Sequence, residues 1–225
     1  MAKERSVLRE YLEALLIAAI FLRFANTFVI QTFYIPSGSM EETLLVGDHL
    51  FVNRFIYGPA ATGAERSLLP LRTVRRGDIV VFRSPENPAI DIVKRCVGLP
   101  GDKIEMVAKQ LYINGKAVQD STYAVHKGPD LPLYDERERR RDNFGPYLVP
   151  PESYFCMGDN RDNSYDSRYW GSLPAHLLKG RPVFIYWSYG GETGGEGPDS
   201  IRQFGRTAMG FLTKTRWSRT LHLIR

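Results

Sequence analysis

The strongest patterning in the chain comes first. Tyr11 to Ile30 reads YLEALLIAAIFLRFANTFVI, with an unbroken apolar stretch of nine residues from Ala14 to Leu22. Twenty helical residues rise about 30 Å, the thickness of a bilayer's hydrocarbon core, so the run predicts a transmembrane anchor over 11–31. Arg23 and Asn26 fall inside it. A central arginine costs roughly 2.5–3.5 kcal/mol on insertion scales, which the surrounding Leu, Ile and Phe offset, and its stem can snorkel. A buried soluble helix is the competing reading. A cleaved leader is disfavoured, because no small-residue cleavage motif follows the run. Lys3, Arg5 and Arg9 precede it. By the positive-inside rule they keep residues 1–10 cytoplasmic and put everything after Ile30 outside.

Beyond the anchor the period shortens to that of strands. QTFYI alternates and stops at Pro36, HLFVNRFIYG runs to Gly58, and DIVVF and IDIVKRCVG are separated by SPENP. KIEM and QLYI follow, with Asn114-Gly115 supplying the strongest short hairpin signal. SYFCMG and RPVFIYW are the last clear strands. Residues 59–72 read as a loop, the charge run DERERRRD at 135–142 as a solvated loop or helix face, and the Gly-rich 190–199 as a flexible loop. The end, TAMGFLTKTRWSRTLHLIR, reads equally as a membrane-surface segment or as a closing strand or helix. Many short strands predict a mainly β fold: antiparallel sheets in a barrel-like arrangement over 32–225, with an inserted β-rich subdomain at 103–150 and a Gly-rich loop and basic tail at 190–225.

Composition removes several alternatives. The 225 residues are 43% hydrophobic and carry a net charge of +5. Residues 201–225 hold six Lys/Arg and no acid, so the remainder carries about −1, and no nucleic-acid-binding motif accompanies the basic tail. Cys96 and Cys156 lie in apolar runs, where a free thiol behaves as a small hydrophobe. A bridge between them in an oxidising compartment stays open.

The candidate chemistry narrows to a serine. His49, His126, His176 and His222 sit in unrelated contexts, with no G-x-S-x-G elbow and no H-E-x-x-H spacing. Ser39 is followed by Met-Glu-Glu, so an S-x-x-K arrangement fails there too. A distant Lys remains. Strand alternation puts Ile92, Lys94 and Cys96 on one face. If that face is covered, desolvation lowers the amine's pKa toward a neutral form able to take a hydroxyl proton. The competing reading is a strand lysine that snorkels to solvent.

PSGSM at 36–40 behind an apolar run, GDHLFVNRFIYG at 47–58, RRGDIVVF at 75–82 with IDIVKRCVGLPGD at 90–102, and GDNRDNSYDSRYWG at 158–171 resemble, in order and spacing, the sequence boxes of bacterial type I signal peptidases. The resemblance covers about residues 5–190. It implies a serine endopeptidase with Ser39 as nucleophile and Lys94 as general base. It further implies an oxyanion hole from the Ser37 hydroxyl and the Ser39 N–H, and Ser164 orienting the amine. Asp159 would pair with Arg95, and Asp166 with Arg168. Arg95, on the opposite strand face from Lys94, can keep its cation away from the amine. Gly38 would permit the tight turn that exposes Ser39.

The implied substrates are signal-peptide-bearing preproteins ending in a small-x-small pattern. An extended peptide points alternate side chains the same way, so residues −1 and −3 would enter pockets on one wall. Phe33, Ile35, Pro36, Met40, Leu44, Ile92 and Val93 are the candidate wall, with docking by strand addition beside 33–36 and 90–94. No metal, cofactor or nucleic acid is implied. The resemblance places a single-pass monomer in the bacterial cytoplasmic membrane, with lipid as its other partner and the site on the outer side. One departure stands out: many members have Pro where Glu42 stands, which predicts a looser turn with Glu41 and Glu42 pointing outward. A Ser-Lys self-cleaving repressor would need a DNA-binding domain where the apolar run stands. A non-catalytic peptide-binding β module would not depend on Ser39 or Lys94.

Overall fold

The computed structural model describes residues 7–24, 30–58, 71–128, 140–191 and 210–224. Helix α1 runs from Val7 to Phe24, so it starts before the predicted anchor; residues 25–29 of that anchor lie outside the described residues. Among the described residues no helix is long and apolar enough to cross a membrane. Arg9, Glu10, Glu13 and Arg23 all fall within its 18 residues, and Arg9 pairs with Glu13 one turn on at 2.7 Å. Even so, Leu12, Leu15, Leu16, Ile17, Ile20 and Phe21 are 58–69% exposed.

The rest is mainly β. Strands β1 (Ile30–Tyr34), β2 (Asp48–Asn53), β3 (Ile79–Arg83), β4 (Asp91–Gly98), β9 (Ser153–Met157), β10 (Leu173–Pro174) and β11 (Leu178–Ser188) form one sheet in the order β1-β2-β11-β3-β4-β9-β10, with β12 (His222–Leu223) pairing β11. The pairs are antiparallel. β1 and β10 stand at opposite ends of that order, so among the described residues the sheet stays open rather than closing as a barrel. Strands β5 (Lys103–Val107), β6 (Gln110–Ile113), β7 (Lys116–Ala117) and β8 (Phe144–Leu148) form a second sheet, in the order β7-β6-β5-β8, inserted between the paired β4 and β9. Asn114 and Gly115, at φ 53° and 77°, make the β6–β7 turn, as an Asn-Gly pair does when both central residues need positive φ.

The continuous apolar run of β3 is explained by burial on both faces. Ile79 and Val81 join Ile35, Met40, Leu44, Leu50, Val52, Val93 and Ile185 in one cluster. Val80 and Phe82 join Val74, Cys96, Cys156 and Leu173 in another. A third cluster, including Val97, Ile104, Leu111 and Phe155, ties the small sheet to the large one. Cys96 and Cys156 face each other across β4 and β9 as free, buried thiols.

One expectation needs correction. The charge run at 135–142 is not solvated at its end: Arg141 and Asp142 are buried and paired at 2.7 Å, and the Arg141 carbonyl accepts from Arg168 Nη1. The predicted loops at 59–72 and 190–199 lie largely outside the described residues. At the end of the chain, β12 supplies the closing strand, with Trp217 and Leu221 exposed beside it.

Candidate active site

Ser39 sits in a 3-10 turn, Gly38–Met40, directly after β1 and Pro36. Buried Met40 and Leu44 anchor the loop that follows, and its ends are closed by Ile35 N–H to the Asp48 carbonyl and Gly47 N–H to the Ile35 carbonyl. Asn160 holds the turn from the other side, its N–H donating to the Ser39 carbonyl at 3.1 Å and its Nδ2 to the Gly38 carbonyl at 3.2 Å. Gly38 needs no left-handed backbone, and a Cβ there would meet only ordinary contacts. The exposure of Ser39 comes from the 3-10 turn and its clamps, not from a special glycine.

Lys94 lies on β4 opposite Val80, on the face shared with Cys96 and Phe82, and is 3% exposed. Its Nζ is hydrogen-bonded to Ser39 Oγ, 55 positions away. Burial pulls the Lys94 ammonium down to about 8; Asp166 and Asp159 push it back up, and Arg168 pulls it down. At mildly alkaline pH the amine is therefore largely neutral and in contact with a hydroxyl.

The resemblance-derived partners fall around this pair. Arg95, on the far face of β4, makes a two-bond contact with the buried Asp159 carboxylate, Nε to Oδ1 at 2.8 Å and Nη2 to Oδ2 at 2.7 Å, and stacks over Tyr123 at 4.2 Å. Asp159 also accepts from Thr43 Oγ1 at 2.6 Å. Asp166 and Arg168 are both fully buried and paired at 2.8 Å. Burial pushes the Asp166 carboxyl up, but Arg168 and the Gly158 N–H outweigh it and hold it below the usual carboxylate range. Ser164 Oγ is buried with no hydrogen-bond partner, so the expected bond to Lys94 is not formed. It nevertheless belongs to the same knot: a Cβ on Gly158 would lie 2.3 Å from Ser164 Oγ and 2.5 Å from the Ser39 carbonyl oxygen. Ser37 is exposed at the rim.

A cleft of about 200 Å³ opens above the pair. Phe33, Ile35, Pro36, Ser37, Met40, Ile92 and Val93 line it, with Ser39 and Lys94 at one end. Leu44 does not: it is fully buried in the core beneath the loop. Sequence reasoning missed Ile90 and Asp91, which also line the cleft. It also missed Asn160, Thr43 and Tyr123. Asn160 lies within the quoted GDNRDNS run but was given no role; Thr43 and Tyr123 reach Asp159 and Arg95 only through the fold.

Glu41 and Glu42 face Lys127, at 3.5 and 2.8 Å, rather than Lys94. Glu42 stands at φ 81°, a left-handed backbone that proline, fixed near −65°, cannot adopt. The loop is thus not a loosened copy of a proline turn but a different one. Glu42→Pro should therefore destabilise the fold by more than about 1 kcal/mol. Thermal denaturation against the parent checks this.

The comparisons with known proteins identify the family. The family described as signal peptidase, peptidase S26 matches residues 8–187. "Signal peptidase I" of Pseudomonas aeruginosa is 40% identical over 171 residues, 68% of this chain and 60% of that one. The protein of that name in Pseudomonas fluorescens is 39% identical, with the same coverage. The one in Buchnera aphidicola subsp. Baizongia pistaciae is 34% identical, covering 80% of this chain and 76% of that one. The chain thus spans less than two thirds of the two Pseudomonas relatives. On a family match over most of its length, this chain belongs to the signal peptidase, peptidase S26 family.

Proposed function

We propose that this protein is a membrane-bound serine endopeptidase that removes signal peptides from exported preproteins, with Ser39 as nucleophile and Lys94 as general base. The observation that carries the reading is a buried lysine, its pKa brought down to about 8, in hydrogen-bond contact with a serine hydroxyl at the end of an apolar cleft. Neutral Lys94 takes the Ser39 proton as Oγ attacks the carbonyl of residue −1. The resulting ammonium returns the proton to the leaving amine, and the acyl-enzyme is hydrolysed by water that Lys94 activates in turn. The Ser39 N–H and the Ser37 hydroxyl are assigned to receive the developing oxyanion, a role supported by both residues lining the cleft. Ser164, packed against Gly158 beside the Ser39 carbonyl, is assigned to orient the amine once substrate is bound.

The cleft suits a small-x-small peptide. β9 pairs with β4 only from Arg95 onward, so the 91–94 edge is open on that side, and β1 is an edge strand. An extended chain added between these two edges would direct alternate side chains at the wall of Phe33, Ile35, Met40, Ile92 and Val93. The 200 Å³ volume favours alanine-sized groups. The anchor reading rests on the exposed apolar side chains of α1 and on the basic flank that precedes them. It places residues 32–225, acting as a monomer, on the outer face of the bacterial cytoplasmic membrane.

The pH dependence of cleavage tests the base. kcat/KM for a peptide with a small-x-small site should rise with pH along a single ionisation, with its midpoint near 8, because only the neutral amine accepts a proton. A flat profile from about pH 6 to 9 would rule out Lys94 as the base.

A further inference from the structure

The family match ends at residue 187, yet residues 210–224 return to the loop that carries Ser39. Arg219 Nη2 donates to the Thr43 carbonyl at 2.9 Å and to Asp48 Oδ2 at 2.6 Å, with Nε 3.4 Å from Asp48 Oδ1. Asp48 is fully buried. Its carboxylate also accepts the Leu45 N–H at 2.9 Å and the Ser188 hydroxyl at 2.5 Å. Arg216, three residues earlier, donates through Nη2 to the carbonyls of Val46 and Tyr189. One face of residues 43–48 is therefore held by two arginines from the end of the chain.

The other face of the same loop is fixed from the site. Thr43 Oγ1 donates to Asp159, the Thr43 and Leu44 N–H groups donate to the Met40 carbonyl, and Asn160 N–H donates to the carbonyl of Ser39. Thr43 is where the two sets of contacts meet, its carbonyl held by Arg219 and its hydroxyl by Asp159. It lies four residues from Ser39. A shift of the Thr43 peptide would reach Met40 through two backbone hydrogen bonds, and Ser39 through one covalent link.

We propose that Arg219 is a positioning residue for the nucleophile: the C-terminal segment clamps the Thr43 carbonyl and Asp48, and so sets the height of Ser39 against Lys94. This rests on the assignment of Ser39 and Lys94 above. A planar guanidinium suits the task, because one fork can hold a carboxylate and a neighbouring carbonyl in fixed geometry, which an ammonium cannot. Lost alignment at the reacting atoms lowers the chemical step more than substrate binding, since Phe33, Pro36, Ile92 and Val93, most of the cleft wall, lie outside the clamped loop.

The test uses the full-length chain in detergent and a peptide carrying a small-x-small site. Arg219→Gln, assayed well below its melting temperature, should lower kcat by about ten- to a hundredfold with KM within about threefold. Arg219→Lys should fall between it and the parent. Loss of Arg219 also leaves buried Asp48 without its cation, which alone destabilises the fold. Asp48→Asn is therefore combined with Arg219→Gln to remove that charge. Positioning predicts that the double variant regains melting temperature while kcat stays low. If kcat recovers together with stability, or if Arg219→Gln turns over at the parent rate, Arg219 only neutralises Asp48 and the proposal is wrong. Ser39→Ala separates the two levels. If it still cleaves, the site assignment falls and the positioning role with it; if it is inactive while Arg219→Gln is fully active, only the positioning role falls.

Discussion

Lys94→Met should abolish peptide cleavage and at the same time stabilise the folded protein at neutral pH. The activity loss follows from removing the base in contact with Ser39. General-base catalysis alone accounts for about 10²–10⁴ in rate, and Ser39→Ala, which removes the nucleophile itself, should cost at least as much. The stability gain follows from burial. Lys94 titrates at about 8 instead of 10.5, so between those values the unfolded chain binds more protons than the folded one, and stability rises with pH. Below about 8 the penalty for burying the ammonium is present in full, roughly 3 kcal/mol at 1.36 kcal/mol per pKa unit. Methionine fills nearly the same volume without a charge. Its advantage should be largest at pH 6–7, shrink through pH 8–10 and vanish above 10.5. Denaturant midpoints across that range, measured beside peptide turnover, check both halves. A variant that is inactive yet no more stable than the parent at pH 6 would mean that Lys94 is not held in a desolvated site. A variant that keeps turnover would remove it from the mechanism.

The same burial explains what could be read from the sequence. The longer strands were legible because they are bounded by Pro, Gly or Asn-Gly and show either alternation or a short apolar run; β8, with Gly145 and Pro146 inside it, was not. β3 and β4 appear where DIVVF and IDIVKRC stand. Lys94 was legible only halfway. Alternation places it among apolar neighbours, but the hydroxyl it meets belongs to the Ser39 turn, 55 residues earlier. No local pattern announces that contact, and the successive motifs supplied it. Leu44 was misplaced for a related reason. Its apolar character suits a cleft wall and a core equally, and only the fold turns it inward. The charge run ending in Arg141 and Asp142 misled because local composition cannot reveal that Arg168 needs the Arg141 carbonyl. Glu42 shows the limit of resemblance. Its left-handed backbone is a property of this loop that a missing proline does not disclose.

The largest effect on the fold should come from Asp166→Asn. Asp166 and Arg168 are completely buried, and the carboxylate is surrounded by donors. Oδ1 accepts from the Arg168 N–H and Nε, and Oδ2 from Arg168 Nη2 and the Gly158 N–H. An asparagine amide must turn its NH2 toward one of these donor pairs whichever way it is set, and the guanidinium loses its counter-charge. Breaking a buried pair from one side typically costs about 3–5 kcal/mol, a large share of the roughly 5–15 kcal/mol that holds a domain together. Arg168 cannot escape to water, because its other donors hold the Arg141 and Arg161 carbonyls at 2.7 Å. The same substitution reaches the chemistry with a defined sign. Asp166 raises the Lys94 pKa and Arg168 lowers it. With the Asp166 carboxylate gone only the weaker pull of Asp159 and Cys156 opposes the cation, and Lys94 becomes neutral at lower pH than in the parent. In the fraction that remains folded, the rising limb of kcat/KM should therefore move below pH 8 even as the melting temperature falls. A purely structural role for the pair predicts the loss of stability with the limb unmoved. A limb that moved to higher pH would contradict the electrostatics, since removing a nearby anion cannot favour the ammonium.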